Sequence, residues 1–308
     1  MNLMQTKGEY HVPALLKETI DLLEIKPEGR YIDATLGGGG HSKEILRRGG
    51  ELLVIDRDPE AIKNMEDFLK ACPSSNSFGG KSRPPKLAQA NFSEIDKVAL
   101  ENGFTEVDGI LFDLGVSSHQ LETPARGFSF NTEGPLDMRM DPGLSVTAKD
   151  LVNGLNEGEL FELFSKLGEE RFAKRYSRAI VKARQEKPIE TCNELAEIIL
   201  RNSPPRGKFD RTHPATRVFQ ALRIAVNDEL NSVREVLPKA LDLLKKGGRL
   251  GVISFHSLED GIVKRFFLEN EEKGLLKLLN KKPVTPAEEE VRSNPRARSA
   301  KLRVAEKL

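Results

Sequence analysis

Three aspartates and a run of glycines could together form a ligand site. In "DATLGGGGHS" (33–42), Asp33 stands four residues before four consecutive glycines. Asp56 ends the apolar run "ELLVID", 19 residues after Gly37, and Asp113 ends the run "VDGILFD". Each apolar run predicts a buried strand, and doubly wound folds bind ligands where the carboxyl ends of their strands meet. We therefore expect Asp33, Asp56 and Asp113 to surround the glycine turn.

The sequence around the glycines argues against a phosphate ligand. A Walker A loop needs a lysine after its second glycine, and "GGGGHS" has none. A dinucleotide fingerprint needs a third glycine where Ser42 stands. S-adenosylmethionine has a sulfonium, an amine and a ribose but no phosphate, so it suits Asp33, Asp56 and Asp113. The prediction is a methyltransferase, with a nicotinamide-dependent oxidoreductase as the alternative.

Candidates for methyl transfer follow the last of these aspartates in "DLGVSSHQL" (113–121). Methyl transfer depends mainly on orientation of the two reactants. A nucleobase amine is a poor nucleophile, and acceptors for its N–H groups would help it react. Asp113, Ser117 and Ser118 are the candidate catalytic residues, and His119 is a possible proton acceptor. The alternative is that these residues only form the loop that leaves the strand.

Alternation of strands and helices predicts the scaffold that positions these residues. Apolar runs predict strands at 30–33, 51–56, near 87–90 and at Val107–Gly115, with helices ending near Arg48, starting at Pro59 and spanning about 93–101. Such alternation is typical of a mostly parallel, doubly wound α/β sheet. Residues 249–255, "RLGVISF", predict a further buried strand that needs parallel partners in the N-terminal half. After that strand, "SFHSLED" could face the same cleft with His256, Ser257 and Glu259, or cap a helix through Ser257 and Asp260.

A helical region interrupts this alternation. Asn156 predicts the start of a helix that ends at Gly168, and "TCNE" (191–194) is a capping box. A long helix is predicted from about Ala215 to Glu235, and Pro238 is predicted to open another. The predicted architecture is a discontinuous methyltransferase domain of 1–115 and 216–308, with an all-helical RNA-recognition domain inserted at 116–215.

Composition restricts the class of protein. The 308 residues include 31% charged and 38% hydrophobic residues, which is typical of a soluble globular protein. No apolar run approaches the roughly 20 residues that span a bilayer. The N-terminus lacks the pattern of a secretory signal. Cys72 and Cys192 suggest neither disulfides nor a zinc site. We expect a cytoplasmic protein with no membrane segment and no metal.

Basic stretches point to a nucleic-acid partner although the net charge is only +1. A single basic stretch is usually a solvated surface, but three in one chain favour a phosphate backbone. Aromatic residues are few, so a structured RNA that presents one extruded base fits best. In 169–187 the basic residues have helical spacing, and we expect one helix face to present them. The candidate RNA-binding residues are Arg171, Lys174, Arg175, Arg178, Arg206, Lys208, Arg211, Arg298 and Lys301.

Several long strings together resemble one known family over nearly the whole chain. They include "YIDATLGGGGHS", "GILFDLGVSSHQLE", "HPATRVFQALRIAVNDEL", "ISFHSLED" and "NPRARSAKLRVAEK". The chain resembles the ribosomal RNA small subunit methyltransferase H (MraW) family. The resemblance implies a class I (Rossmann-like) S-adenosylmethionine-dependent methyltransferase with an inserted all-helical domain. It also implies a cytoplasmic enzyme that methylates the 4-amino group of a cytidine in the decoding region of bacterial 16S rRNA.

The same resemblance assigns roles to individual residues. It implies that Gly39, Gly40 and His41 line the methionine side of the cofactor and that Asp56 binds the ribose. It further implies that Phe92 packs on the adenine and that Asp113 and Gln120 complete the site. His119 stands where the family has proline, which weakens its case as a base.

The substrate is either naked rRNA or the assembled subunit. A ribosome assembly factor that has lost the chemistry is a further alternative.

Overall fold

A seven-stranded sheet organises the protein. The structure is a computed structural model, and it describes residues 13–71, 83–205 and 213–308. The sheet order is β3-β2-β1-β4-β5-β7-β6. The first five strands are parallel, whereas β7 runs antiparallel to β5 and β6. The strands are β1 (Arg30–Asp33), β2 (Glu51–Asp56), β3 (Lys86–Gln89), β4 (Val107–Asp113), β5 (Leu244–Ser254), β6 (Leu276–Leu278) and β7 (Lys301–Lys307).

The strand order reverses between β1 and β4, which are neighbours in the sheet although two strands separate them in the chain. Such a switch point opens a crevice at the carboxyl ends of the strands, where these folds bind ligands.

The predicted α/β class is confirmed. The strands predicted at 30–33 and 51–56 are observed with the same bounds.

Thirteen helices are found among the described residues. Helices α1, α2 and α3 pack on the sheet through a shared apolar cluster that includes Ile20, Ile45, Met65, Tyr31 and Val54. None of the helices in the described ranges is long and apolar enough to cross a membrane. The helices are α1 (Leu16–Leu23), α2 (Gly40–Arg47), α3 (Pro59–Ala71), α4 (Ile95–Glu101), α5 (Ser118–Glu122), α6 (Ala148–Gly154), α7 (Glu157–Gly168), α8 (Ala173–Glu186), α9 (Cys192–Arg201), α10 (Thr216–Asn227), α11 (Glu229–Leu243), α12 (Ser257–Glu272) and α13 (Glu288–Ser293).

The chain divides into two compact units, one formed by residues up to Ser118 together with Leu230–Leu308, and the other by His119–Glu229. The second unit is helical, and Leu160, Phe164 and Tyr176 are fully buried in it. Its end lies beyond the boundary predicted near 215, because α10 packs closely on α7. A Cβ at Gly168 would stand 2.6 Å from the carbonyl oxygen of Arg217, so glycine allows this approach.

The prediction of a single long helix from about Ala215 to Glu235 is wrong. Helix α10 ends at Asn227, and Asp228 adopts the left-handed region with φ of 49°. Aspartate tolerates that conformation better than most residues do. The prediction that Pro238 opens a helix is also wrong, since Pro238 lies inside α11. A proline there costs the helix one hydrogen bond but does not end it.

The third basic stretch, residues 292–308, contributes its last part to the sheet as β7. Strand β7 lies between β5 and β6, and its residues Leu302, Val304 and Ala305 are fully buried. Arg303, 8% exposed, donates from Nε to Asp260 Oδ1 at 2.6 Å. The sequence "KLRVA" alternates in the period of two that a strand requires. The prediction that this stretch binds RNA counts its positive charges and does not consider this alternation.

Candidate functional site

Asp33 ends β1 as a buried carboxyl group that is 1% exposed. Ser42 Oγ donates a hydrogen bond to its Oδ2 at 2.6 Å, and the N–H of Thr35 donates to its Oδ1 at 3.2 Å. Burial raises the pKa of Asp33 from 3.8 to about 7, against the effect of both hydrogen bonds. The charged form of Asp33 is therefore costly unless a cation lies beside it.

The glycine turn after β1 depends on backbone conformations that favour glycine. Gly37 has φ of 49° and Gly39, directly before α2, has φ of 74°. At Gly40 a Cβ would stand 2.6 Å from the ring of Pro13, so Pro13 lies directly against the turn. A Cβ at Gly37 would stand 3.7 Å from Cβ of Ser117, which brings the loop after β4 to the same place.

Asp56 ends β2 and ties this turn to the neighbouring strand. Its Oδ2 accepts the N–H of Gly37 at 2.9 Å, and its Oδ1 accepts the N–H of Asp58 at 2.9 Å. Burial raises the pKa of Asp56 from 3.8 to about 6. Each carboxylate oxygen can accept more than one hydrogen bond, so Asp56 keeps capacity for a ligand hydroxyl.

Asp113 and His41 place two unsatisfied polar atoms in the site. Asp113 ends β4, and its Oδ2 lies 3.6 Å from His41 Nδ1. Asp113 Oδ1 and His41 Nε2 are buried, and no residue in the described ranges gives them a hydrogen bond. Buried polar atoms are seldom left without a partner, so these two atoms indicate a ligand position.

The protonation of the same pair follows from its surroundings. Burial, and then the carboxylates of Asp33 and Glu259, raises the pKa of Asp113 well above its ordinary value. Burial lowers the pKa of His41 to about 4, so its imidazole is neutral at pH 7. A hydrogen bond with the backbone of Ala14 opposes this shift, but only in part.

The first turn of α12, which follows β5, contains a buried glutamate. Glu259 is 1% exposed and accepts the N–H groups of Phe255 at 2.9 Å and His256 at 3.3 Å. His256 is the N-cap of α12 and forms a capping box with Glu259. The cap predicted from Ser257 and Asp260 is therefore one residue out of register. Asp260 instead accepts from Arg303.

Phe92 and Gln120, which only the family resemblance suggested, lie in different units. Phe92 begins a 3-10 turn after β3, is half-buried and packs edge-on against Phe112, with ring centroids 5.8 Å apart. The guanidinium of Arg57, the residue after Asp56, lies 5.8 Å from the Phe92 ring centroid. Gln120 lies in α5, at the start of the second unit, and is 5% exposed. Ser118 is the first residue of α5.

The predicted RNA-binding residues occupy several surfaces. Lys174, Arg175 and Arg178 are exposed on α8, and Arg178 Nε lies 3.6 Å from Glu157. The prediction that Arg171 shares this helix face is wrong, because α8 begins only at Ala173. In the first unit, Arg298 is exposed, while Lys301 Nζ lies 3.3 Å from Asp260. Arg206, Lys208 and Arg211 lie outside the described residues.

Sequence reasoning missed three residues that shape the site. Thr35 and Ser42 hold Asp33, and Pro13 packs on Gly40. Thr35 stands two residues after Asp33, a spacing at which aspartate commonly accepts a backbone N–H. Ser42 and Pro13 carry no comparable local signal, because their roles depend on how α2 packs on β1 and on the contact between Pro13 and Gly40.

The arrangement fits S-adenosylmethionine. Carboxyl groups at the ends of β1, β2 and β4 suit an amine, a ribose and a sulfonium, and the glycine turn lets the ligand approach the backbone. The groups that would hold it are Asp33, Gly37, Gly39, Gly40, His41, Asp56 and Asp113. Among the described residues, the orphaned His41 Nε2 supports a missing cofactor, whereas the orphaned Asp113 Oδ1 can receive a second ligand.

Comparison with known proteins agrees with this chemistry. Residues 8–308 match the MraW methylase family. The chain is 49% identical over 314 residues to the ribosomal RNA small subunit methyltransferase H of Carboxydothermus hydrogenoformans, covering 97% of this chain and 98% of that relative.

Solved structures show weaker similarity. An rRNA methylase from Streptococcus thermophilus is 11% identical with a TM-score of 0.45, covering 98% of this chain and 99% of its own. An S-adenosylmethionine-dependent O-methyltransferase from Thermotoga maritima is 12% identical with a TM-score of 0.42, covering 99% and 69%.

The family match confirms the enzyme and cofactor predictions and excludes the nicotinamide alternative. The protein is a methyltransferase, and its methyl donor is S-adenosylmethionine. With nearly the full chain matched and half of its residues identical to a relative, the chain belongs to the MraW methylase family.

Proposed function

We propose that this enzyme methylates the exocyclic 4-amino group of a cytidine in the decoding region of bacterial small-subunit rRNA, in the cytoplasm. The relative at 49% identity is named a ribosomal RNA small subunit methyltransferase, which supports the substrate class. The observation that carries the proposal within this chain is the buried, unpartnered Oδ1 of Asp113.

Asp113 Oδ1 can accept a hydrogen bond from an amine that receives the methyl group. The nitrogen of a cytosine amino group is a poor nucleophile, because its lone pair is delocalised into the ring. An oxygen that accepts one of its N–H groups favours a geometry in which the lone pair is available. Asp113 ends β4 at the switch point, where both the glycine turn and the Ser117 loop converge. A hydroxyl of Ser117 or Ser118 is the proposed second acceptor.

The charge on Asp113 is coupled to cofactor binding. Its pKa is well above the ordinary value because burial and two nearby carboxylates disfavour the charged form. S-adenosylmethionine supplies the methyl group on a sulfonium, which carries positive charge. Asp113 is more readily ionised beside such a charge, and its ionised oxygen is the stronger acceptor. The neutral imidazole of His41 adds no competing positive charge.

The second unit is the proposed RNA-recognition domain. Its exposed residues Lys174, Arg175 and Arg178 project from one helix, α8, whose opposite side buries Tyr176 and Ile180. A row of exposed cations on a rigid helix suits a phosphate backbone. We include Arg171, Arg206, Lys208, Arg211, Arg298 and Lys301 in the proposal on the sequence argument.

Methyl-labelled cofactor tests the proposal. Purified protein is incubated with small ribosomal subunits that lack the modification and, in parallel, with naked rRNA, and the label is mapped by nuclease digestion and mass spectrometry. We expect labelled N4-methylcytidine. Asp113→Asn is expected to lower kcat by about 10²-fold or more. Asp242→Asn, an exposed aspartate of α11, is the matched control and should retain activity.

Two outcomes would contradict the proposal. Label on a ribose oxygen or on another base would refute the amine acceptor. Binding to the subunits with no label in the rRNA would favour the assembly-factor alternative.

A further inference from the structure

Strand β4, which ends at Asp113, has β1 on one side and β5 on the other. The glycine turn after β1 and Asp56 at the end of β2 lie on one side of β4 in the sheet order. On that side lie Gly37, Gly39, Gly40, His41 and Asp56, which are predicted to hold the cofactor. The other side of β4, where β5 ends, is the side of the sheet left for a base that reaches Asp113. This step rests on the proposed function, because it assumes a base as the acceptor.

Phe255 stands at that end of β5. Asp113 pairs with Ile253 across β4 and β5, so Gly115 and Phe255 follow as the next neighbours beyond the strand ends. A Cβ at Gly115 would stand 3.7 Å from Cδ2 of the Phe255 ring. Gly115 has φ of 98°, a conformation that favours glycine. Glycine at this position therefore adds no side chain against Phe255, whereas any other residue would bring its Cβ into contact with Cδ2 of the ring.

The backbone that carries Phe255 is fixed. Its N–H donates to Oε2 of Glu259, which is 1% exposed and also accepts the N–H of His256. The half-buried ring packs against a cluster that includes Leu15, Ile253 and Leu302, and part of it remains exposed. A half-buried ring on a fixed backbone loses little conformational entropy when a second planar group contacts its exposed part.

We infer that Phe255 stacks against the pyrimidine ring of the target base and holds its amino group at Asp113. Stacking on an aromatic side chain is the usual way in which proteins hold an unstacked base. Within Leu114–Ser118 and Phe255–His256, the segments that follow β4 and β5, Phe255 is the only phenyl ring. Phe255 is thus a substrate-binding residue.

The test compares Phe255→Leu with Phe255→Tyr in the labelling assay on small ribosomal subunits. Leucine keeps the apolar packing and removes the aromatic face, whereas tyrosine keeps the face. Phe266→Leu is the matched control, because Phe266 is also half-buried in this unit but lies about 14 Å further along α12 than its start. Cofactor affinity is measured by calorimetry for every variant.

We expect Phe255→Leu to lower kcat/KM for the subunits by about tenfold to hundredfold, mainly through KM. Phe255→Tyr should recover most of that loss, and cofactor affinity should be equal in all variants. Unchanged kcat/KM in Phe255→Leu, or an equal loss in Phe255→Tyr or Phe266→Leu, would overturn the inference. So would a parallel loss of cofactor affinity, which would indicate a structural role. Failure of the unsubstituted protein to label cytidine would refute the proposed function, and the inference with it.

Discussion

The dependence of folding stability on pH tests the central feature of the site, the buried carboxyl of Asp33. Its pKa in the folded protein is about 7, compared with an ordinary value of 3.8 that applies to the unfolded chain. The folded state therefore binds this proton more tightly than the unfolded state does. The sign follows directly: stability is greatest when Asp33 is protonated in both states, and it is lost as the pH rises from about 4 to about 7.

The size of the effect follows from the two pKa values. Asp33 lowers the free energy of unfolding by about 4 kcal/mol at pH 7 but by only about 2 kcal/mol at pH 5. Asp33→Asn removes this titration. Its amide can still accept the N–H of Thr35 and donate to Ser42. We expect the stability of the variant, relative to the parent protein, to increase by about 2 kcal/mol between those two pH values.

Urea unfolding of the ligand-free protein measures the effect. Far-UV circular dichroism is a suitable signal because the chain contains no tryptophan. Asp242→Asn, which replaces an exposed aspartate of the same unit, should follow the parent protein at every pH. Cofactor affinity of Asp33→Asn should fall although the variant is more stable, since a binding carboxylate has been removed. Unfolding curves for Asp33→Asn and the parent protein that shift in parallel with pH would refute the reasoning.

Three further predictions concern the turn, the ribose site and the RNA surface. Asp56→Ala should weaken S-adenosylmethionine binding by about tenfold to hundredfold in calorimetry, and unchanged affinity would show that Asp56 does not bind the ribose. Gly40→Ala forces a Cβ against Pro13 and should cost about 1–3 kcal/mol of stability in thermal unfolding, so an unchanged Tm would contradict the contact. Replacing the basic residues around α8 by glutamine should weaken RNA binding with a shallower salt dependence, and an unaltered slope would assign them to a solvated surface. Those residues are Arg171, Lys174, Arg175 and Arg178.

The strand ends of the site could be predicted because their signals are local. Asp33, Asp56 and Asp113 each directly follow an apolar run, and the glycine turn directly follows the first of them. Parallel strands bring such positions to one edge whatever the details of packing. The helix starts at Asn156 and Thr191 were predictable for the same reason, since a capping box lies within four consecutive residues.

The features that could not be predicted depend on residues distant in sequence. Strand β7 is stabilised by pairing with β5 and β6, and nothing within "KLRVAEK" indicates those partners. The break at Asp228 falls inside an apolar period that continues on both sides of it. Pro238 is accepted within α11, although proline usually marks a helix end. In each case tertiary packing outweighs the local preference.

Asp33 and Asp56 could serve only to form turns, or they could bind a ligand. Their burial and its effect on their pKa favour the second interpretation. An aspartate that only forms a turn accepts backbone N–H groups, which lower its pKa. Asp33 and Asp56 do accept such bonds, from Thr35 and from Gly37 and Asp58. Burial nevertheless raises both values, to about 7 and about 6. A turn alone would not require a carboxyl group to be buried at this cost to stability. The turn-forming bonds therefore fix the carboxylates in position, and a ligand that brings positive charge to Asp33 or hydroxyl groups to Asp56 would offset the unfavourable burial.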